Sequence, residues 1–591
     1  MSSSRAVTLA CLSVLALAAR PTPAAPPPAA WSPAQQRAIL DKTKTFRLAP
    51  DLARLTPGER RAVDEILAVG RIFQELYEDS RHPQAAAARA QIAKQPRSDA
   101  ATLYRLFQGP IATTLENKRE AFLPVEPETL GKNLYPSGAT KDEIEGFLIL
   151  HPEERERLLD PRTVVRRVTA QALAADLAAL AAHPLVSGLQ PSLSERLREL
   201  AKHPDASRFY AVPYSVAYAE PMTRAFAGLV RAADAVQPDD AEFAGYLRNR
   251  ARDLVSNDYE SGDAAWVTGH FGRLNAQIGA YETYDDALFG VKTFYSLSLL
   301  LRDDAATAEL TKGLGGLQQV EDALPYEPRK RVRPDIPIGV YEVIADFAQA
   351  RGGNTATNLP NDPLHSRRYG RIILLRENIM RNPDIQSTAR QRFAAAMTPA
   401  FAAEPAAEGG FERTLWHEIG HYLGPELTRD GRGLDQALAG WADALEEMKA
   451  DLVSLFAVQH LAEAGLATAE SLRAVQAAGI LRALNSTRPR RDQPYQTMQL
   501  AQLNWFLERG LLSATEDAHL ELHRERYAAT VEALLAEVLR LQQAGDPNAA
   551  EAFFARWTNW SETLHAPLAA RLRAAEGDAR YRLPLYSALG D

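Results

Sequence analysis

Apolar residues recur at intervals of three and four along much of the chain, which is the spacing of one face of an α-helix. Residues 32–235 are mostly of this kind, and the segments 163–182 and 192–202 are rich in the helix-forming Ala, Leu, Arg and Glu. Residues 239–258 predict a further helix, and the polar cluster at 259–263 predicts a turn.

The pattern changes in the middle of the chain. Residues 340–345 and 371–375 are short β-type runs, and the connection between them is dense in Gly, Asn, Asp and Pro, which favour turns. Helical spacing returns at residue 411 and continues to about residue 575. The sequence therefore predicts a mainly α fold with a smaller β element (α+β), arranged as two lobes that flank a cleft.

The length and composition fit this division. The chain has 591 residues, of which 46% are hydrophobic and 24% charged, and it contains no fixed-period repeat. We expect a mostly helical region at residues 31–240, a mixed α/β region at 241–400 and a helical region at 401–591. The net charge of −8 gives no basic surface for nucleic acid.

The first thirty residues differ from the rest. Arg5 precedes an apolar run at residues 6–19, Ala16-Leu17-Ala18 offers a cleavage pattern of small residues, and a Pro/Ala tract extends from 21 to 30. This predicts a signal peptide and export to the periplasm or outside the cell. A disordered Ala/Pro tail is the alternative. The run of about 14 residues is shorter than the ~20 that span a bilayer, so we expect no transmembrane segment.

The cysteine content restricts the chemistry. Cys11 is the only cysteine, and it lies inside the predicted signal peptide. An exported chain would carry neither a disulfide, nor a thiolate metal site, nor a cysteine nucleophile. A metal would therefore be held by His, Glu or Asp.

The strongest local motif is His417-Glu418-Ile419-Gly420-His421. Residues four apart lie about one turn apart on the same helix face, so both imidazoles could bind a single Zn²⁺. Glu418 follows the first ligand and is suited to act as general base toward a metal-bound water. The alternative is a pair of histidines on an ordinary amphipathic helix.

The third ligand is expected on a nearby helix, because a catalytic zinc site takes three protein ligands. The segment Glu446-Glu447-Met448-Lys449-Ala450-Asp451 begins 25 residues after His421. Glu447 has Asp451 one turn on, where it can accept the free ring N–H of a ligand histidine. We therefore predict Glu447 as the ligand and expect Asp451 and Glu446 to support the ligands. Taken alone, the segment could equally be a solvated acidic face.

These two motifs resemble the signatures of the dipeptidyl peptidase III family of zinc metallopeptidases, His-Glu-x-x-Gly-His followed by Glu-Glu-x-Arg-Ala-Glu. The first is one residue shorter here, which restores the common spacing of zinc-binding helices. The resemblance implies one Zn²⁺ per chain, held on helices of the helical lobe.

Two upstream segments are similar to the same family. Residues 278–285 resemble a stretch whose Tyr assists the transition state and whose Glu holds the substrate amino terminus, and these roles would fall on Tyr284 and Glu282. Asn358-Leu359-Pro360-Asn361 resembles a loop whose asparagines, here Asn358 and Asn361, grip the peptide backbone. Without the resemblance, a half-buried helical Tyr, an exposed Glu and ordinary turn asparagines are the alternatives.

One segment departs from the family pattern. The family has a His-Met-Gln-x-Arg segment that contacts substrate, and the nearest match here, residues 497–501, has neither the His nor the Arg. We predict a zinc exopeptidase that acts on short peptides from the N-terminus. A zinc-containing peptide-binding protein with little or no turnover, and a zinc hydrolase of a non-peptide amide, are the alternatives.

Overall fold

A computed structural model of the protein describes residues 29–313, 316–332, 336–349, 354–489, 493–575, 577 and 579–590. The predicted signal peptide lies outside the described residues, apart from the last two residues of its Pro/Ala tract. In the described part of the chain, no helix is both long and apolar enough to cross a membrane.

Helices make up most of the chain. In the first half they are α1 Pro33–Leu40, α2 Pro57–Arg81, α3 Ala85–Ile92, α4 Asp99–Phe107, α5 Lys141–Leu150, α6 Arg155–Leu158, α7 Ala170–Ala182, α8 Pro184–Leu189, α9 Leu193–Lys202, α10 Tyr214–Ala217, α11 Ala219–Val236, α12 Ala241–Ser256 and α13 Glu260–Thr268. In the second half they are α14 Asp304–Gly313, α15 Leu317–Ala323, α16 Pro363–Tyr369, α17 Glu377–Met380, α18 Pro383–Ala396, α19 Gly410–Gly420, α20 Leu434–Leu438, α21 Ala442–Glu463, α22 Ala469–Ala483, α23 Pro494–Glu508, α24 Tyr527–Ala544, α25 Pro547–Trp557 and α26 His565–Ala575.

The strands form one larger sheet and several two-stranded pairs. They are β1 Thr43–Leu48, β2 Ile111–Thr113, β3 Arg119–Ala121, β4 Thr163–Val168, β5 Asp205–Pro213, β6 Leu274–Glu282, β7 Phe294–Arg302, β8 Ile338–Phe347, β9 Ala356–Leu359, β10 Ile372–Arg376, β11 Leu512–Ala514, β12 Leu520–Leu522 and β13 Tyr581–Tyr586. The larger sheet has the order β6-β7-β8-β10-β9, with β8 and β10 parallel and the other pairs antiparallel. β1 pairs in parallel with β13, which joins the two ends of the described chain.

Two large hydrophobic cores define two lobes. The first lobe is built around the core of α2, α11, α12, β6 and β7, and the second lobe around the core of α19 and α21–α25. β10 lies between them, because Ile372 and Leu374 belong to the first core whereas Ile373 and Leu375 belong to the second. The predicted fold class, mainly α with a smaller β element, is confirmed.

The larger sheet curls, so that side chains connect its two edge strands, β9 and β6, whose backbones are not paired. Thr357 on β9 donates from Oγ1 to Oε1 of Gln277 on β6, at 3.3 Å. Asn361, just after β9, donates from Nδ2 to the carbonyl oxygen of Tyr281, at 3.0 Å. The turn between β9 and α16 is therefore fixed beside the end of β6, so two segments 80 residues apart in sequence come together.

The sheet carries buried polar side chains on one face. These are Asn275, Gln277, Ser296, Ser298 and Arg376, among others. They bond one another: Arg376 donates to Ser298 Oγ at 2.8 Å, and Gln277 donates to Ser296 Oγ at 3.3 Å. Buried polar groups are tolerated because they find such partners.

Two local predictions differ from the structure, and two strands were missed. Residues 163–182 are not one helix, because the β-branched stretch at the start forms β4 and the side chain of Thr169 caps α7 by accepting from Ala172 N at 3.2 Å. The predicted turn at 259–263 is the start of α13, where Asp263 accepts from Arg250 at 2.7 Å. β6 and β7 were not predicted.

The contact between α19 and α21 depends on a small residue. At Gly420, an added Cβ would lie 2.9 Å from Ala450 Cα and 3.2 Å from Val453 Cβ. These atoms belong to backbone and to a β-branched side chain, which cannot swing away. Glycine therefore allows the two helices to approach this closely.

We predict that Gly420→Ala lowers stability by about 1–3 kcal/mol, because overpacking pushes α19 away from α21. Gly245→Ala on α12 is the matched control, since a Cβ there meets nothing within 4 Å. It is expected to leave stability unchanged or to raise it by up to about 1 kcal/mol. Thermal melting of both variants checks this; equal melting temperatures would contradict the packing argument.

Candidate metal centre

Two imidazoles from α19 form one side of the candidate metal centre. α19 ends at Gly420, and His421 follows as the C-cap with φ −67° and ψ −22°, which are still helical values. His417 and His421 therefore keep their one-turn separation, with ring centroids 5.0 Å apart and ring planes at 87°. His417 is buried and His421 is half-buried.

The other side is a carboxylate from α21. Glu447 Oε2 lies 3.2 Å from His417 Nε2. One ligand atom from each of His417, His421 and Glu447 lies within 4.8 Å of the other two. The structure thus brings together the three residues that the sequence predicted as metal ligands.

The far side of each imidazole is bonded to another acid of α21. His417 Nδ1 lies 2.7 Å from Asp451 Oδ1, and His421 Nδ1 lies 2.9 Å from Glu446 Oε1. Carboxylates only accept, so each Nδ1 carries a proton and each Nε2 is the nitrogen turned toward the shared site. Carboxylates that fix ligand histidines in this way are typical of zinc centres.

Neighbouring cations compensate these buried acids. Asp451 accepts from Arg413 at 2.8 Å and from Arg482 at 3.2 Å. Burial alone would raise the pKa of Asp451, but the two guanidinium groups hold it well below its usual range. Burial likewise opposes ionisation of Glu446, whereas Lys449 Nζ at 2.8 Å holds the pKa of that carboxyl well below its usual range.

The carboxylates beside His417 make its position favourable for positive charge. Burial lowers the pKa of His417, but the neighbouring Asp451 and Glu447 outweigh it and raise the pKa to about 9. Glu447 Oε2 is buried and has no hydrogen-bond partner among the described residues. Two imidazole nitrogens and one carboxylate oxygen are a donor set that zinc takes in catalytic sites, with a fourth position left open. The residues present therefore fit a zinc ion.

Glu418 lies on the same helix as the imidazoles, half-buried beside His417. Its backbone carbonyl accepts from Asn358 Nδ2 at 3.3 Å, which connects α19 to β9. Asn358 Oδ1 is buried and has no hydrogen-bond partner in the part of the chain that the structure describes. This oxygen is available to accept from a bound ligand next to Glu418.

Tyr284 follows the end of β6 and is 48% exposed. Its hydroxyl shares a hydrogen bond with Tyr495, whose hydroxyl donates to Glu447 Oε1 at 2.8 Å. Tyr284 is therefore one hydroxyl group away from a predicted ligand. Glu282, half-buried at the end of β6, lies next to the segment to which Asn361 is bonded.

Sequence reasoning missed Tyr495, Arg413 and Arg482. Tyr495 lies in the first turn of α23, two residues before the segment 497–501 that departs from the family pattern. That segment was the signal in the sequence that this part of the chain lies near the site. Arg413 precedes His417 by one turn of α19, which is a signal that the i, i+4 spacing could have given. Arg482 lies on α22, and nothing local connects it to the centre.

Two of the solved structures that match this chain cover nearly all of it. The dipeptidyl-peptidase III of Corallococcus sp. strain EGB has a TM-score of 0.78 and 25% identity, covering 94% of this chain and 97% of that one. The chain has the fold of the dipeptidyl peptidase III family. The enzyme of that name from Caldithrix abyssi gives a TM-score of 0.77 at 24% identity, with coverage of 94% and 99%. The resemblance to this family that the motifs indicated is thereby confirmed.

A relative found by sequence carries a different name. Nudix hydrolase 3 of Arabidopsis thaliana is 28% identical over 401 residues, which are 65% of this chain and 49% of the plant protein. The chain thus spans about half the length of that relative, whose name describes the longer protein. No family model matches the chain.

We predict that Asp451→Asn weakens zinc binding by about 10- to 100-fold, because the amide no longer fixes the His417 tautomer. Competition with a chelator of known affinity measures this. Asp517→Asn is the matched control, since Asp517 bonds His519 Nδ1 at the same 2.7 Å but on the surface, away from the centre. Wild-type zinc affinity in folded Asp451→Asn would contradict the role of Asp451.

Proposed function

We propose that this protein is an exported zinc-dependent peptidase that releases dipeptides from the N-terminus of short peptides. The observation that carries the proposal is the grouping of His417, His421 and Glu447, with each imidazole bonded to a further carboxylate. The dipeptidyl peptidase III fold supports the choice of peptides as substrates, and the N-terminal pattern supports export.

The reaction is hydrolysis of a peptide bond. A zinc ion held by the three ligands supplies Lewis acidity toward water and toward the scissile carbonyl. Glu418 accepts a proton from the attacking water while the water oxygen bonds to the carbonyl carbon. Glu418 then delivers that proton to the leaving amine as the C–N bond breaks. Tyr284 donates its O–H to the oxygen on which negative charge develops.

The substrate groups define an exopeptidase. The Glu282 carboxylate pairs with the free ammonium of the peptide, and Asn358 and Asn361 bond its first residues. β9 is an edge strand of the larger sheet, and an extended peptide can add its backbone to such an edge. A site that binds the ammonium fixes the cleaved bond at a short distance from the N-terminus.

A second candidate function is peptide binding with little turnover. It is favoured by Thr497 and Ala501, which stand where the family has its His and Arg. Both functions require the zinc centre and a peptide in the cleft, and they differ only in the rate of hydrolysis.

We predict that the purified wild type contains about one zinc per chain and hydrolyses dipeptidyl-naphthylamides, and that Glu418→Gln keeps the zinc but loses about 10²- to 10⁴-fold in kcat. Glu412→Gln is the matched control on the same helix, where Glu412 accepts from Ser471. Metal analysis and steady-state kinetics check this. Zinc without hydrolysis in the wild type would favour the binding protein, and hydrolysis unchanged in Glu418→Gln would contradict the mechanism.

The position of the cut gives a separate prediction. Acetylation of the peptide N-terminus removes the ammonium, so we expect it to abolish cleavage. We expect Glu282→Gln to raise KM for the free peptide by about tenfold or more, because one charge-assisted hydrogen bond is lost. Mass spectrometry of the products and KM measurements test both. Equal cleavage of free and acetylated peptides would contradict an exopeptidase.

A further inference from the structure

Tyr495 connects the candidate metal centre to the group that is proposed to stabilise the transition state. It lies in the first turn of α23 in the second lobe, and its O–H donates to Glu447 Oε1 at 2.8 Å. Its oxygen also shares a hydrogen bond with Tyr284, which extends from the end of β6 in the first lobe. One hydroxyl thus contacts both halves of the site.

The direction of these bonds follows from the number of protons. A phenol has one O–H, and a carboxylate can only accept. The phenol oxygen of Tyr495 lies 2.8 Å from Glu447 Oε1, so the one proton of this phenol is the one in that bond. Because that proton points to Glu447, the bond between the phenols is donated by Tyr284. The order is Tyr284 to Tyr495 to Glu447.

The contact with Tyr495 distinguishes the two oxygens of Glu447. Oε1 is engaged by the phenol, whereas Oε2 is buried, is 3.2 Å from His417 Nε2 and has no hydrogen-bond partner among the described residues. Tyr495 therefore turns a carboxylate that could bind through both oxygens into one that presents a single oxygen to the centre.

The segment that follows Tyr284 is anchored in the first lobe by its side chains. Asp285 accepts from Tyr77 at 2.7 Å, and Asp286 accepts from Tyr135 at 2.9 Å. The base of the Tyr284 side chain is therefore fixed from the first lobe, and its hydroxyl end is held from the second lobe by Tyr495. This leaves the Tyr284 hydroxyl close to the ligands before any substrate enters.

The ring of Tyr495 is itself held in place. The guanidinium of Arg482 lies 5.6 Å from its centroid, and the same group donates to Asp451 at 3.2 Å. Arg482 therefore contacts two residues that each bond a predicted ligand. Asp451 bonds His417, and Tyr495 bonds Glu447.

We propose that Tyr495 is a positioning residue that limits Glu447 to one ligand oxygen and holds Tyr284 beside the centre, from where the Tyr284 O–H turns from Tyr495 to the developing oxyanion. The inference rests on the proposed function and deepens it. It predicts that one substitution alters both zinc affinity in the absence of substrate and the rate of hydrolysis, whereas substitution of Tyr284 alters only the rate.

The test is a double-mutant cycle with Tyr495→Phe, Tyr284→Phe and the double variant. Zinc affinity is measured by chelator competition without substrate, and kcat and KM are measured on the zinc-loaded proteins. We expect Tyr495→Phe to weaken zinc binding by about tenfold and to lower kcat with little change in KM. Tyr284→Phe should lower kcat alone, and the double variant should lose less kcat than the product of the single losses.

Two further variants distinguish the loss of the Tyr495 hydrogen bonds from a general loss of stability. Tyr527→Phe on α24 removes a buried hydroxyl that donates to the Gln476 carbonyl at 2.9 Å in the same lobe, so it should change neither zinc affinity nor kcat. Replacement of Tyr495 by p-aminophenylalanine keeps a donor at the same place and should restore zinc affinity, even where Tyr495→Phe lowers the melting temperature.

Either of two results would overturn the inference: wild-type zinc affinity in Tyr495→Phe, or independent effects of the two tyrosines on kcat. A wild type that binds no zinc would instead refute the proposed function, and the inference with it. A wild type that binds zinc and hydrolyses peptides, beside an unaffected Tyr495→Phe, would refute the inference alone.

Discussion

The close contact between α19 and α21 is the constraint on which the rest of the candidate site depends. It places two imidazoles of one helix against three acids of the other, in a buried region where unpaired charge is costly. The acids are tolerated because each has a cation or an imidazole beside it: Arg413 and Arg482 at Asp451, Lys449 at Glu446. The third acid, Glu447, has the imidazole of His417 beside it, 3.2 Å from its Oε2.

The two lobes contribute different parts of the site. The second lobe supplies the predicted ligands, Glu418 and the charges that orient them. The first lobe supplies β9 and the end of β6, where Asn358 bonds the helix that carries the imidazoles and Asn361 bonds the residue before Glu282. Because β10 gives alternate side chains to the two cores, the sheet is packed against both lobes and can hold these parts in a fixed relation.

The sequence could predict contacts between residues on the same helix, but not contacts between residues that are far apart in the chain. Four-residue spacing on one helix relates the imidazoles to each other and Glu447 to Asp451, so those contacts follow from helix geometry alone. Tyr495 reaches Glu447 from another helix, and no spacing reveals that. β6 and β7 did carry a signal, since Asn275 and Gln277 alternate with apolar neighbours in β6 and Ser296 and Ser298 do so in β7. This alternation is typical of a half-exposed strand, whereas here the polar face is buried as well.

The central claim is that this fold holds one zinc ion between α19 and α21. Anomalous diffraction at the zinc absorption edge, from crystals of the zinc-loaded protein, tests it directly. The account predicts a single strong peak bonded to Nε2 of His417, Nε2 of His421 and one oxygen of Glu447. A peak elsewhere, or no peak with Glu447 turned away from the imidazoles, would contradict it.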